Sequence, residues 1–229
     1  MDQQHPSPSR WAIVLAGGEG TRMQPLVHRW LGFNRPKQYC AFVGSRSMFQ
    51  HTVDRAALVT APERIVAVVG RDHRDEILTQ LQGRTIGQVI YQPRNCETAA
   101  GLFLPLTYIH ARAPGATVVI FPSDHFIHPE DRFLAAVCRI ADLAETMPDR
   151  LVLLGIRPDR LEMEYGWILP GAALSSPEEA PICEVHSFVE KPNRIQAVKA
   201  FRHGALWNTF VFAAQAELLW QVEIGRAHV

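Results

Sequence analysis

The chain has 229 residues, 47% of them hydrophobic and 20% charged, with 23 lysines and arginines balanced by 23 aspartates and glutamates. That length allows one large domain or two small ones, with a core big enough to fold without cross-links. Zero formal net charge excludes a dedicated binder of nucleic acid or anionic membrane, whose affinity rests on surplus cations.

In chain order, residues 1–10 are polar, carry Pro6 and Pro8, and read as a disordered tail with no apolar signal segment behind it. Trp11–Leu15, Arg64–Val69, Gln88–Tyr91, Thr117–Phe121 and Leu151–Leu154 read as strands. They are largely apolar rather than alternating, which predicts burial on both faces of a parallel sheet. Helical period marks Ser47–Val59, Asp72–Leu81 and Pro129–Ala144, the last with Phe133, Leu134, Val137, Ile140 and Ala141 on one face. Pro129, followed by Glu130 and Asp131, marks a helix start. Thr98–His110 is helical by period but contains Pro105, so a kink or a break is expected. Beyond about residue 155 the rhythm changes. Tyr165–Leu169, Glu184–Glu190 and Trp207–Ala213 read as strands, and Asn193–Arg202 and Gln215–Gln221 as helices. The alternation predicts an α/β fold, a doubly wound, mostly parallel Rossmann-like sheet. A strand-rich back half is expected to lid the same cleft, within one domain over residues 11–223. The apolar runs are strand-sized, far short of the ~18 residues of a membrane span. The cysteines Cys40, Cys96, Cys138 and Cys183 lack zinc spacing and read as reduced thiols of a cytoplasmic protein.

The chemistry concentrates in Leu15–Leu26, LAGGEGTRMQPL, directly after the first strand. Gly17, Gly18 and Gly20 let the main chain come close to a ligand, and backbone N–H groups in such a turn suit phosphate oxygens. Arg22 adds a planar cationic fork. No Gly-Lys-Ser/Thr follows, so this is not a P-loop, and Met23 stands where a dinucleotide fingerprint has its third glycine. Arg35-Pro36-Lys37-Gln38 supplies two more cations on a stiffened backbone. Asp124 follows the fourth strand, at the edge where open α/β sheets bind ligands, and reads either as a ligand-site carboxylate or as an Asx-turn or capping aspartate after Pro122-Ser123.

LAGGEGTRMQPL followed by RPKQ resembles the signature of the sugar-1-phosphate nucleotidyltransferases, and most of all the mannose-1-phosphate guanylyltransferases. FPSDH (Phe121–His125), EMEYGWI (Glu162–Ile168), FVEKPN (Phe188–Asn193) and LWNTFVF (Leu206–Phe212) resemble further family segments in family order. The resemblance implies transfer of a nucleotidyl group from a nucleoside triphosphate, GTP, to a sugar-1-phosphate, mannose-1-phosphate, with Mg²⁺ as cofactor. It implies a nucleotide site of Ala16, Gly17, Gly18, Gly20, Thr21, Gln92, Thr98 and Ala99. Arg22 and Lys37 would meet the triphosphate and Asp124 the metal. Lys191 would meet the sugar phosphate, and Gly166, Glu190 and Asn208 the sugar. No nucleic acid or membrane partner is implied; a homo-oligomer is left open.

Three departures stand out. Gln92-Pro93 replaces Glu-Pro in the nucleotide segment, Phe210 replaces a glycine, and no aspartate follows Asn208 to serve as a second metal ligand. Glu97, Glu162, Glu164 and Glu190 are the carboxylates left to seek it among. Ile224–Val229, IGRAHV, reads as a translated sequencing adapter, so the chain is expected to be cut short, leaving Leu218, Leu219 and Trp220 partly uncovered. A second likeness, of PKQYCAF and HTVDRA (His51–Ala56) to methylerythritol-phosphate cytidylyltransferases, ranks lower because it leaves Glu190-Lys191-Pro192 and Tyr165-Gly166 unused. A non-catalytic, regulatory nucleotide-sugar binder is the third reading; the retained Arg22, Lys37, Asp124 and Lys191 argue against it.

Overall fold

A computed structural model describes residues 9–94, 97–174 and 181–227. Its elements in chain order are β1 (Arg10–Ala16), α1 (Gln24–Leu31), α2 (Met48–Ala56), β2 (Ile65–Gly70), α3 (Arg74–Gln80), β3 (Gln88–Gln92), α4 (Glu97–His110), β4 (Thr117–Pro122) and α5 (Glu130–Thr146). There follow β5 (Val152–Ile156), β6 (Trp167–Ala173), β7 (Cys183–Val189), α6 (Arg194–Arg202), β8 (Leu206–Gln215) and α7 (Ala216–Ala227). They form two compact units, one of Met1–Val152 with Val211–Val229, the other of Leu153–Phe210.

In the first unit the apolar runs do what their composition dictates. Ala12, Ile13 and Val14 are all 0% exposed, and successive strand residues face opposite sides, so β1 is covered on both faces. The strands run parallel in the order β3-β2-β1-β4. The end of β8 joins antiparallel, with Phe212 opposite Ile120 and Gln215 opposite Thr117. β2 and β3 step away from β1 on one side and β4 lies on the other. The carboxyl ends of β1 and β4 therefore flank a topological switch point, where such sheets open a crevice. Helices α2, α4 and α5 pack on these strands. Ser47 starts α2 with a reciprocal capping box, its Oγ accepting from Gln50 N while Gln50 Oε1 accepts from Ser47 N.

Several details bear on these expectations. Of the kink or break expected at Pro105, there is no break: α4 is continuous. The carbonyl opposing the proline ring belongs to Gly101, and Leu102, Leu106 and Ile109 on the same helix are buried. At ~1.5–3 kcal/mol each, those three side chains outweigh the ~3 kcal/mol a mid-helix proline costs. Arg10 is not tail: it opens β1, is 8% exposed and pairs with Asp142 and Glu145. Residues 24–31 form a helix, α1, absent from the expectations above; it has Pro25 in its first turn and ends at Gly32 in a left-handed conformation, and only Val27 on it is buried. On α7, Leu219 is 3% exposed, while Leu218 and Trp220 are partly exposed and Val222 is exposed; Trp220 stacks on His110 of α4 with ring centroids 4.8 Å apart.

In the second unit β6 pairs antiparallel with β7 and with the start of β8, Trp167 lying opposite both Val189 and Trp207. Trp167, Trp207, Ala197 and Ala205 form its core. Asn193 caps α6 through a capping box with Gln196. Among the described residues, no helix is long and apolar enough to cross a membrane.

Candidate active site

The first unit gathers the groups expected to meet a nucleotide at the carboxyl ends of its parallel strands. The chain leaves β1 at Ala16 and passes through Gly17, Gly18, Glu19 and Gly20 into a single 3-10 turn, Thr21–Met23, where Thr21 and Arg22 are exposed. Gly20 takes φ +62°, a left-handed conformation that favours glycine. A methyl group there would also lie 3.1 Å from Lys37 N and 3.2 Å from Lys37 Cγ. The loop and the Lys37 segment thus touch backbone to backbone. Gly17 makes a close approach of another kind, since a methyl on it would run into Gln92 Oε1.

Lys37 lies in a second 3-10 turn, Lys37–Tyr39. Its Nζ is 2.6 Å from Asp124 Oδ2. Asp124 follows β4, and Ser123 ties that end of the strand to β1 by donating from both N (3.1 Å) and Oγ (2.6 Å) to Leu15 O. Burial works to raise the Asp124 pKa; His125, with Nε2 3.7 Å from Oδ1, and the Lys37 ammonium outweigh it and hold the carboxyl below its ordinary value. Burial also lowers the His125 pKa. At neutral pH His125 is then uncharged, and Lys37 is the full charge facing the carboxylate.

Two residues that sequence reasoning passed over hold the loop from behind. Gln38 is 2% exposed, and its Nε2 donates to Ala16 O (3.0 Å) and Gly18 O (2.7 Å). The Tyr39 hydroxyl lies 3.4 Å from Ala16 O; burial, then the Glu76 carboxylate, push its pKa up, so it stays a donor. Gln38 belongs to the RPKQ segment, but a polar residue beside Lys37 carries no sequence signal of burial. Gln92, at the end of β3, is 4% exposed and faces Gly17 on one side and Gly101 on the other. Thr98 and Ala99 are exposed on the first turn of α4. Asn95, Cys96 and the side chain of Glu97 lie outside the described residues.

The residues expected to meet a sugar phosphate sit in the second unit. Gly166 is buried, and a methyl on it would lie 2.6 Å from Phe188 Cζ and 2.7 Å from Glu190 Oε2, so only glycine lets that carboxylate lie against the chain. Gly166 O accepts from Asn208 N at 2.8 Å. Gly166, Glu190 and the Asn208 backbone are thus brought together. Asn208 Oδ1 accepts from Phe210 N at 3.0 Å, and Phe210 takes φ +57°. The departure at Phe210 is therefore a backbone matter: a bulky residue occupies a left-handed position where glycine carries no penalty. Glu190 and Lys191 do not alternate across a strand, because β7 ends at Val189 and Lys191 has φ +44°. Trp167 is core, and Tyr165 stands edge-on to Trp207 at 5.3 Å.

Asp124 offers Mg²⁺ one hard carboxylate, which suits an ion that takes its remaining positions from phosphates and water. Among the described residues no group of three or more acidic, histidine or cysteine side chains could hold a metal ion without such help. Of the alternative carboxylates, Glu162 accepts from the Met163 and Glu164 backbone N–H groups and caps its own loop.

The model of the family described as nucleotidyl transferase matches residues 11–226. The chain is 34% identical over 207 residues to xanthan biosynthesis protein XanB of Xanthomonas campestris pv. campestris, covering 89% of this chain and 42% of that protein. It is 31% identical over 210 residues to the mannose-1-phosphate guanylyltransferase of Salmonella montevideo, covering 90% of this chain and 43% of that one. It thus spans well under half the length of these curated relatives. A Thermus thermophilus crystal structure described as a mannose-1-phosphate geranyltransferase superposes with a TM-score of 0.78 at 28% identity, covering 93% of this chain and 59% of that one.

Proposed function

The chain belongs to the nucleotidyl transferase family, and on that premise we propose that it joins GTP to mannose-1-phosphate and releases pyrophosphate. The observation that carries the reading is the Lys37–Asp124 pair, set against the Gly20 backbone at the switch point between β1 and β4. A triphosphate competes with Asp124 for Lys37, so the resting ion pair holds the cation where an anionic substrate needs it. In this reading residues 11–223 act as one nucleotidyltransferase domain, in which the first unit supplies the nucleotide groups and the second the sugar groups.

A sugar-phosphate oxygen attacks the α-phosphorus in line with the departing pyrophosphate. One P–O bond forms as the bond between the α-phosphorus and the bridging oxygen breaks, and no covalent protein intermediate is needed. The work is positioning and charge stabilisation. Arg22 and Lys37 offset negative charge as it moves onto the leaving pyrophosphate. Lys191 holds the incoming phosphate, while Gly166, Glu190 and Asn208 orient the sugar. Asp124 would hold Mg²⁺, whose charge would offset that of the phosphates. Nucleoside triphosphates are cytoplasmic substrates, so the reading places the enzyme in the cytoplasm.

Pyrophosphate release decides it, with GTP, CTP and UTP each tested against mannose-1-phosphate and methylerythritol phosphate. Release with GTP and mannose-1-phosphate alone is expected. Release only with CTP and methylerythritol phosphate, or none with any pair while nucleotide still binds, would replace the reading with a cytidylyltransferase or a regulatory binder.

A further inference from the structure

We propose that Gln38 is a positioning residue for the nucleotide, acting through the peptide planes of the glycine loop. The inference rests on the reading that this loop takes the triphosphate. Gln38 is 2% exposed, and its amide nitrogen donates to two carbonyls of one loop, Ala16 O at 3.0 Å and Gly18 O at 2.7 Å. In a trans peptide the C=O of one residue and the N–H of the next point in opposite directions. Pinning the Ala16 and Gly18 carbonyls onto Gln38 therefore turns the N–H groups of Gly17 and Glu19 away from it. Gly18 and Glu19 are exposed, so the outward side of the loop is open to a ligand. Alternate N–H groups then point one way, the arrangement that binds phosphate oxygens.

A glycine loop needs such a strut. Gly17, Gly18 and Gly20 have more backbone freedom than any other residue, and an unrestrained loop would lose that entropy on binding. The strut comes from the 3-10 turn that also carries Lys37, whose ammonium pairs with Asp124 and whose backbone touches Gly20. One turn thus fixes both a cation and the orientation of the loop amides. Tyr39, on the same turn, adds its hydroxyl beside Ala16 O.

The test compares Gln38→Leu, which removes the donor at similar volume, and Gln38→Glu, which keeps the shape and sets oxygens against two carbonyl oxygens. Gln80→Leu is the structural control. Gln80 is another buried glutamine of the same unit, 7% exposed and bonded to Glu76 and Ser47 rather than to the loop. Calorimetry gives the dissociation constant for whichever of GTP, CTP and UTP the wild-type chain binds. Steady-state pyrophosphate release gives KM for nucleotide and sugar phosphate separately, and thermal melting reports stability. Both Gln38 variants should weaken nucleotide binding on the order of tenfold or more, with KM for the sugar phosphate within twofold. Gln80→Leu should melt at a similarly lowered temperature yet bind nucleotide as wild type does. Wild-type nucleotide affinity in a folded Gln38 variant overturns the proposal. So does an equal loss for both substrates, or unfolding of both Gln38 variants while Gln80→Leu stays folded. If the wild-type chain binds none of the three nucleotides, the reading of the loop itself fails, which is a separate result.

Discussion

Replacing Lys37 with alanine separates what the Lys37–Asp124 pair does for the fold from what Lys37 does for the reaction. The two side chains are 36% and 33% exposed and 2.6 Å apart. Water screens a pair so exposed, and such pairs contribute about 0–1 kcal/mol to stability. For a chain of this size 1 kcal/mol moves Tm by roughly 2–4 °C. The proposed reaction asks much more of the same ammonium group. Charge moves onto the leaving pyrophosphate, and losing one fixed donor at developing charge costs about 2–4 kcal/mol. That is roughly a 30- to 1000-fold fall in kcat/KM. Melting by scanning fluorimetry and a continuous pyrophosphate assay give both numbers on one sample. A large rate loss with a Tm drop of a few degrees is expected. A rate within twofold of wild type refutes the triphosphate role, and a Tm fall beyond about 10 °C would make the defect structural.

Arg22→Ala, on the exposed turn after the glycine loop, should lose rate on the same scale with less change in Tm, since Arg22 lies at the surface. Gly166→Ala would push a methyl group into Phe188 and Glu190; KM for the sugar phosphate should rise several-fold while KM for the nucleotide holds, and the reverse pattern would detach Glu190 from the sugar. Lys191→Ala should likewise weaken use of the sugar phosphate far more than nucleotide binding, and equal losses in separate titrations would make Lys191 structural. Stability should fall in acid in two stages. Burial holds His51, His73 and His125 below the ordinary histidine value, so the unfolded chain takes up their protons first. Their contribution is full above about pH 6.5 and is lost as pH falls below it. Asp124 is held below the ordinary carboxylate value, so its contribution is present above about pH 4 and is lost as pH falls through its folded value. Urea midpoints against pH should show His125→Gln shrinking the first stage and Asp124→Asn the second; unchanged profiles would contradict both assignments.

Much of the first unit was legible because its strands are buried on both faces, and a run such as Ile65–Val69 has no other stable home. The placing of the glycine loop and Asp124 at the carboxyl ends of β1 and β4 was legible because each directly follows an apolar run that reads as a strand. α4 runs on through Pro105 because burial of its apolar residues outweighs a local penalty. Gln38 stood in the sequence only as part of RPKQ; its bonds to two carbonyls about twenty residues away come from the fold and have no local signal. The left-handed conformations of Lys191 and Phe210 cannot be read from those side chains, which disfavour them.

The central claim is that a sugar-phosphate oxygen attacks the α-phosphorus of the nucleotide. Mannose-1-phosphate labelled with ¹⁸O in its phosphate oxygens, reacted with unlabelled GTP and followed by mass spectrometry, tests it most directly. All the label should stay in the nucleotide-sugar and none should enter pyrophosphate. Label in pyrophosphate, or its loss to water, would mean that the bond is made at a different phosphorus and would contradict the account.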